Sequence, residues 1–324
     1  MAMASERFLV TGALGCIGSW VLRHLVRSGV EVIATDLSTD PVRPRLIMSD
    51  DELSRVRFAT LDVTDLDAVR DMVEREGVTR VVHLAGLQIP FCYANPSLGA
   101  AVNVQGTVNI FEAVRHAEGQ VRGLSYASSL AVLGPASMYP ERPLRDDIPL
   151  HPGSLYGVYK QANEGTARLF WESWQVPSVG LRPYIVYGVG RDQGMTSDPT
   201  KAMLAVAAGR PFQIQFSGEV GMQYAPDVAA IFVASAMADY HGSGAFLLRG
   251  SVVTMEEIVA AIAEVEPRAR ELIDVVDNPL PLPADLSDDG LRGVIDEVPH
   301  TPLRDATRDT MERFSALVAA GTLA

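Results

Sequence analysis

Short apolar runs alternate with amphipathic stretches through the first half of the chain. Residues 7–10 form a brief apolar run that ends at Thr11-Gly12. Residues 17–28 then place Ile17, Val21, Leu22, Leu25 and Val26 on one helical face, closed by Gly29. Residues 31–35, 56–59, 80–84 and 123–127 have the short apolar pattern of strands. Helical patterns fall between them near 66–76 and 98–117. Residues 155–174 predict a long helix and 178–182 a sixth strand. Strand–helix alternation with short turns implies right-handed βαβ units and a parallel sheet. After about residue 185 the alternation loosens. Thr254 and Glu257 make a capping box that opens a helix to about Val265. Residues 278–290, rich in Pro and Asp, predict a surface loop, and 301–319 a last helix.

Composition narrows the class. Of 324 residues, 48% are hydrophobic and 21% charged, a globular balance that excludes a disordered chain. The formal charge of −13 argues against a nucleic-acid backbone as the partner. A small anionic molecule stays open, because a local site can oppose the global charge. Cys16 and Cys92 show no metal-ligand spacing and read as two reduced, packed thiols. The N-terminal run MAMASERFLV lacks the basic-then-apolar pattern of a secretory signal. The apolar stretch at 228–238 is too short to cross a bilayer. A cytoplasmic protein without membrane partners is the expectation.

The first chemical feature is Thr11-Gly12-Ala13-Leu14-Gly15-Cys16-Ile17-Gly18, directly after a strand and before a helix. Gly12 permits a tight turn, Gly15 lets the backbone approach a pyrophosphate, and Gly18 lets the helix pack on the sheet. The helix N-terminus supplies N–H groups and partial positive charge. Asp36 ends the second strand, where a carboxylate can bond both adenosine ribose hydroxyls and would repel a 2′-phosphate. NAD is therefore favoured, although Arg43 and Arg45 are near enough in sequence to keep NADP open. The bland alternatives are a structural turn and an exposed loop aspartate.

Tyr156 and Lys160 stand one helical turn apart and share a face. An ammonium beside a phenol favours the phenolate, which suits proton exchange at a carbinol oxygen. The alternative is a surface pair on an amphipathic helix; Tyr159 points elsewhere. Ser128 and Ser129 follow the fifth strand, at the end where parallel sheets bind ligands. A serine there can orient a reacting oxygen, or merely cap a turn.

Together, TGALGCIG, Asp36, Asp62-Val63, His83-Leu-Ala-Gly86, Asn103-Val-Gln-Gly-Thr107, the Ser-Ser turn and Tyr156/Lys160 resemble the extended short-chain dehydrogenase/reductase superfamily. More narrowly they resemble its NAD-dependent epimerase/dehydratase family, with VVHLAGLQ similar to the UDP-galactose 4-epimerases. The resemblance implies an α/β fold with a Rossmann-type doubly wound parallel sheet. It divides the chain into an NAD-binding domain over 1–185, joined by segments at about 220–250, and a smaller, mainly substrate-binding lobe over 186–324.

It also implies roles. Leu14, Cys16, Ile17 and Leu37 would contact NAD beside the glycines and Asp36. Asp62 and Val63 would meet the adenine. Leu84, Ala85, Gly86, Asn103, Ala127, Ser128 and Pro183 would line the cofactor site. Ser129, Tyr156 and Lys160 would be catalytic. Gln88, Ser129, Tyr184, Ile185 and Arg191 would face a small-molecule substrate, and His83 would only pack.

Two positions depart from the family pattern. Ile185 stands where nucleotide-sugar enzymes carry Asn, and Met222-Gln223-Tyr224 where many carry Arg-Asp-Tyr. Either Arg191 or Lys201 replaces the lost diphosphate contacts, or the substrate is not a nucleotide sugar. The loop 188–194 is placed to face it. The functions implied are an NAD-dependent oxidoreductase at a secondary alcohol or ketone, or an epimerase that keeps NAD bound. A dehydratase fits less well, because Leu130-Ala131 replaces the usual Asp-Glu. A non-catalytic NAD sensor is the reading from another class. A homodimer through the helices at 98–117 and 155–174 is also implied.

Overall fold

A computed structural model describes residues 6–323, so the reading of the N-terminal run lies in part outside the described residues. Twelve strands are described: β1 (Arg7–Thr11), β2 (Glu31–Asp36), β3 (Val56–Thr60), β4 (Arg80–His83), β5 (Gly123–Ala127), β6 (Val179–Arg182), β7 (Ile185–Tyr187), β8 (Phe212–Ile214), β9 (Glu219–Tyr224), β10 (Ala245–Leu247), β11 (Ser251–Thr254) and β12 (Ile273–Val275). Seven form one sheet in the order β10–β6–β5–β4–β1–β2–β3. Every neighbouring pair in it is parallel. The order reverses between β1 and β4, where doubly wound sheets open a ligand crevice.

The apolar runs show why the sheet is sandwiched. Along β1, Phe8 and Val10 enter one core and Leu9 the other, all fully buried. A strand covered on both faces needs such a continuous apolar run. Helices Cys16–Arg27 and Ala225–Met237 cover the first face. Helices Leu66–Arg75, Gly106–His116 and Leu155–Trp174 cover the second. The apolar stretch at 228–238 is thus mostly a core helix, and no helix among the described residues is long and apolar enough to cross a membrane.

The remaining strands build a second group. β11, β9 and β7 form a three-stranded sheet, and β12 pairs with β8. Helices Asp198–Ala207, Met255–Val265 and Leu303–Ala319 pack around them. The Thr254/Glu257 capping box forms as the sequence suggests.

One expectation is refined and another corrected. The stretch 98–117 is helical as expected through His116, but it carries a π turn inside it. Short helices Ile89–Ala94 and Pro96–Ala100 lead into a π turn at Ala101–Gln105, and only then Gly106–His116. The Asn103 amide donates to Leu87 and Gly99 carbonyls at 3.1 and 3.0 Å, so the wide turn is braced by a side chain. Residues 278–290 are not simply a surface loop. Ala284, Leu286, Ser287 and Asp288 are buried. Leu144 N–H donates to the Asp285 carbonyl, and Ser287 N–H to that of Leu144. Those bonds satisfy a buried backbone that a Pro- and Asp-rich sequence does not advertise.

Candidate active site

A cavity of about 730 Å³ opens above the carboxyl ends of the central strands. Its walls hold the glycine turn, Asp36, the 84–91 segment, Ser128, Ser129, Tyr156, Lys160, Tyr184 and the loop 190–196. Residues scattered through the sequence are thereby brought to one place.

The glycine turn forms the floor. Gly12 has φ +64°, and a Cβ there would lie 2.6 Å from the Ala85 nitrogen. A Cβ on Gly18 would strike the Gly12 carbonyl oxygen and stand 2.7 Å from that of Ala13. Helix Cys16–Arg27 begins at Gly15 with no side-chain cap and no acidic residue in its first turn. Its first N–H groups and dipole are left for an anion from outside, which fits a dinucleotide pyrophosphate. Leu14, Cys16 and Ile17 line the same wall, and burial pushes the Cys16 thiol up to about 11.

Asp36 is anchored rather than loose. Its carboxylate accepts the Leu14 N–H at 3.1 Å and the Leu37 N–H at 2.8 Å, with lone pairs left for ribose hydroxyls. The two nearby arginines are already engaged: Arg43 grips Asp192, and Arg45 pairs with Asp40 at 2.5 Å. Leu37, Asp62, Val63, Leu84, Ala85, Gly86, Ala127 and Pro183 all line the cavity. Asn103 does not. It is fully buried behind Gly86 and acts as the brace described above. His83 is buried between Thr11 and Thr107, and burial first, then the Lys160 charge, lowers its pKa to about 3, so it stays neutral.

The Tyr–Lys helix starts at a Ser154 cap, whose hydroxyl accepts the Gly157 N–H at 3.0 Å. Gly157 lets the helix press on the backbone of Ala131, which any side chain would strike. Lys160 is buried; its ammonium donates to the Ala127 carbonyl at 2.7 Å and lies 5.6 Å from the Tyr156 ring centroid. Burial lowers its pKa to about 8. Burial also raises the Tyr156 phenol, partly offset by the Ser129 hydroxyl and the Arg191 charge. The expectation that Lys160 would make the phenol acidic is therefore corrected. Desolvation dominates both groups, and the ammonium is committed to a carbonyl. Ser129 accepts the Ala131 N–H at 3.1 Å. The Ser128 hydroxyl is turned to Glu164 at 2.5 Å.

On the far side, Gln88, Tyr184 and Arg191 line the cavity. Gln88 Oε1, the Tyr184 hydroxyl and Arg191 Nε are buried without partners among the described residues. Ile185 does not reach it. Its strand β7 pairs with β9 and turns Ile185 fully into the core. Gln223 is also internal, accepting the Tyr184 N–H at 2.8 Å and donating to the Leu248 carbonyl at 2.7 Å. Lys201 lies on helix Asp198–Ala207, off the cavity wall. The loop at 188–194 does face the cavity, through Gly190–Gly194. Sequence reasoning missed the Arg43–Asp192 pair and the Glu164–Arg182 pair. Neither has a motif, since each joins residues distant in the chain.

A doubly wound parallel sheet, an open glycine turn after β1 and a buried Tyr–Lys helix beside it define an extended short-chain dehydrogenase/reductase. The chain belongs to the NAD dependent epimerase/dehydratase family, whose model matches residues 8–243. It is 30% identical to UDP-glucose 4-epimerase of Mycolicibacterium smegmatis over 235 residues, 70% of this chain and 72% of that one. With several other curated relatives the match spans only 54% to 60% of their length. Among solved structures, UDP-glucose 4-epimerase of Thermotoga maritima superposes with a TM-score of 0.83 at 20% identity, covering 97% of this chain and 100% of that one. L-threonine dehydrogenase of Clostridium difficile gives 0.83 at 22% identity, covering 96% and 98%. At such identities these two likenesses describe the fold.

Proposed function

We propose that the chain is an NAD-dependent oxidoreductase acting at a secondary alcohol or ketone carbon of a sugar-like or other small polar molecule. The observation that carries this is the meeting of Tyr156, Lys160 and Ser129 with the glycine turn and Asp36 in one cavity. NAD, when bound, supplies the hydride acceptor or donor. The chain's own groups do the rest. Asp36 holds the adenosine ribose, and the start of helix Cys16–Arg27 holds the pyrophosphate. Ser129 orients the substrate oxygen, and Tyr156 exchanges its proton with that oxygen. Lys160 steadies the ring and the nicotinamide side. Of the cations lining the cavity, Arg43 is held by a carboxylate and Lys160 by a carbonyl. Among the described residues the Arg191 side chain bonds only the Thr196 hydroxyl, at 3.3 Å, so its spare donors suit an anionic group.

A second reading is an epimerase that retains NAD. The Arg43–Asp192 pair across the cleft favours it, because it suits a cofactor that stays. The NAD-binding unit is taken as 1–185 with the later segments, and 186–324 as mainly substrate-binding. Exposed Val158 and Leu169 on helix Leu155–Trp174 and exposed Leu98 support a homodimer. The test is a spectrophotometric screen with sugars, sugar acids, nucleotide sugars and L-threonine. Stoichiometric NADH supports the oxidoreductase; isomerised product without net NADH supports the epimerase. Full turnover in Tyr156→Phe sinks the catalytic assignment, and a catalytically silent variant that keeps the whole cellular effect supports the sensor.

A further inference from the structure

Three successive turns of one helix meet three successive residues of one strand end. Tyr156, Lys160 and Glu164 recur every four residues on helix Leu155–Trp174 and so share a face. Tyr156 and Ser129 line the same cavity, and the Ser129 hydroxyl offsets part of the rise in the Tyr156 pKa. Lys160 donates to the Ala127 carbonyl at 2.7 Å. Ser128 donates its hydroxyl to Glu164 Oε1 at 2.5 Å. The first two contacts belong to the proposed chemistry; the third has no part in it.

Glu164 is unusually well held. Arg182 of β6 clamps it with two bonds, Nε to Oε1 at 2.8 Å and Nη2 to Oε2 at 2.9 Å. The two side chains are only 5% and 9% exposed. Arg182 Nη1 also donates to the Asp146 carbonyl at 3.0 Å. A carboxylate fixed this way cannot rotate, and its bond to a hydroxyl is charge-assisted and short. Ser128, by contrast, lies just past the last ladder pair of β5, Ala127 with Leu181. The next backbone bond on that side is Leu130 N–H to the Pro183 carbonyl at 2.9 Å, so Ser128 and Ser129 lie between the two.

We propose that Glu164, acting through Ser128, is a positioning residue for the Tyr156–Lys160–Ser129 group. It locks the strand end in register with the helix, so the Ala127 carbonyl stays under Lys160 and Ser129 stays beside Tyr156. The inference rests on the proposed reaction, where a misplacement of about 1 Å can cost on the order of 100-fold in rate.

The experiment compares wild type, Ser128→Ala and Tyr156→Phe in the same turnover assay, with NADH affinity by fluorescence titration and thermal midpoints. Ser128→Ala removes the bond to Glu164 and leaves the Arg182–Glu164 pair intact. The expected result is a loss of roughly tenfold or more in kcat, with KM, NADH affinity and thermal midpoint near wild type. The pH dependence of kcat should shift, because Lys160 loses its fixed acceptor. Ser128→Thr, which keeps the hydroxyl, should recover part of kcat. Adding Glu164→Gln to Ser128→Ala should lower the thermal midpoint with little further loss of kcat. Wild-type kcat and pH profile in Ser128→Ala, beside a silenced Tyr156→Phe, overturn the positioning role alone. So does a loss of kcat matched by losses of stability and NADH affinity. Wild-type turnover in Tyr156→Phe instead overturns the reaction on which the inference stands.

Discussion

Arg43 holds Asp192 across the mouth of the cavity: Nε and Nη2 reach the carboxylate at 2.9 to 3.1 Å, while Nη1 donates to the Leu14 carbonyl at 3.1 Å. One guanidinium thus ties the glycine turn to the loop that follows β7. Gly188 and Gly190, at φ +129° and +93°, give that loop the backbone freedom to arch over. Asp192→Asn should speed NAD release. The pair is partly exposed, with side chains 23% and 58% accessible, so about 1 kcal/mol and roughly fivefold is the ceiling. High salt should speed release from wild type and leave the variant nearly unchanged. Stopped-flow displacement measures this, and equal release rates at low salt count against the clasp.

Lys160 should destabilise the protein that uses it. Its folded pKa is about 8 against an ordinary lysine's 10.5, so the folded chain holds the proton less tightly than the unfolded one. The cost, on the order of 3 kcal/mol, is fully present at neutral pH. It is relieved as pH rises from about 8 to about 10.5, where the unfolded state binds more protons. Lys160→Met should therefore abolish turnover yet raise stability at pH 7 in the cofactor-free protein. The gain should shrink towards pH 10. Urea denaturation at several pH values tests this; a pH-independent difference contradicts it.

Gly18→Ala should loosen the turn. The new methyl would meet two backbone carbonyl oxygens, which move only if the turn opens. Overpacking of this kind costs about 1 to 3 kcal/mol, and NAD affinity should fall with it. Gly29→Ala makes the control: among the described residues nothing beyond its chain neighbours lies within 4 Å of its Cβ, and only its φ of +71° is unfavourable. Calorimetric titration should show weakened NAD binding in the first variant and near-native binding in the second.

Ile185→Asn would restore the residue of nucleotide-sugar enzymes at a position closed to the cavity. Ile185 is fully buried, so the amide would arrive without partners. Stability should fall by about 1 to 3 kcal/mol. KM for any nucleotide sugar should be unmoved. A lowered KM would mean that the position faces the ligand after all.

The cofactor half was readable because its signals are local. Gly12, Gly15 and Gly18 answer to one turn, and Tyr156 and Lys160 to one helical repeat. The substrate side was less readable. Ile185 was placed at the substrate by alignment with a family pattern, whereas pairing with β9 turns it inward. The 98–117 stretch is helical as its periodicity predicts, but nothing in that periodicity marks the π turn at Ala101–Gln105 or the Asn103 side chain that braces it.

By itself the sequence determined the alternation of elements, the parallel sheet and the crevice at its carboxyl edge. Each follows from apolar periodicity and turn residues within a few positions of one another. Only the tertiary structure decided the electrostatic state of Tyr156 and Lys160. It also decided which polar side chains line the cavity and how Arg43 meets Asp192 and Glu164 meets Ser128. Desolvation and long-range pairing depend on what packs around a group, and residues far away in the chain supply that packing.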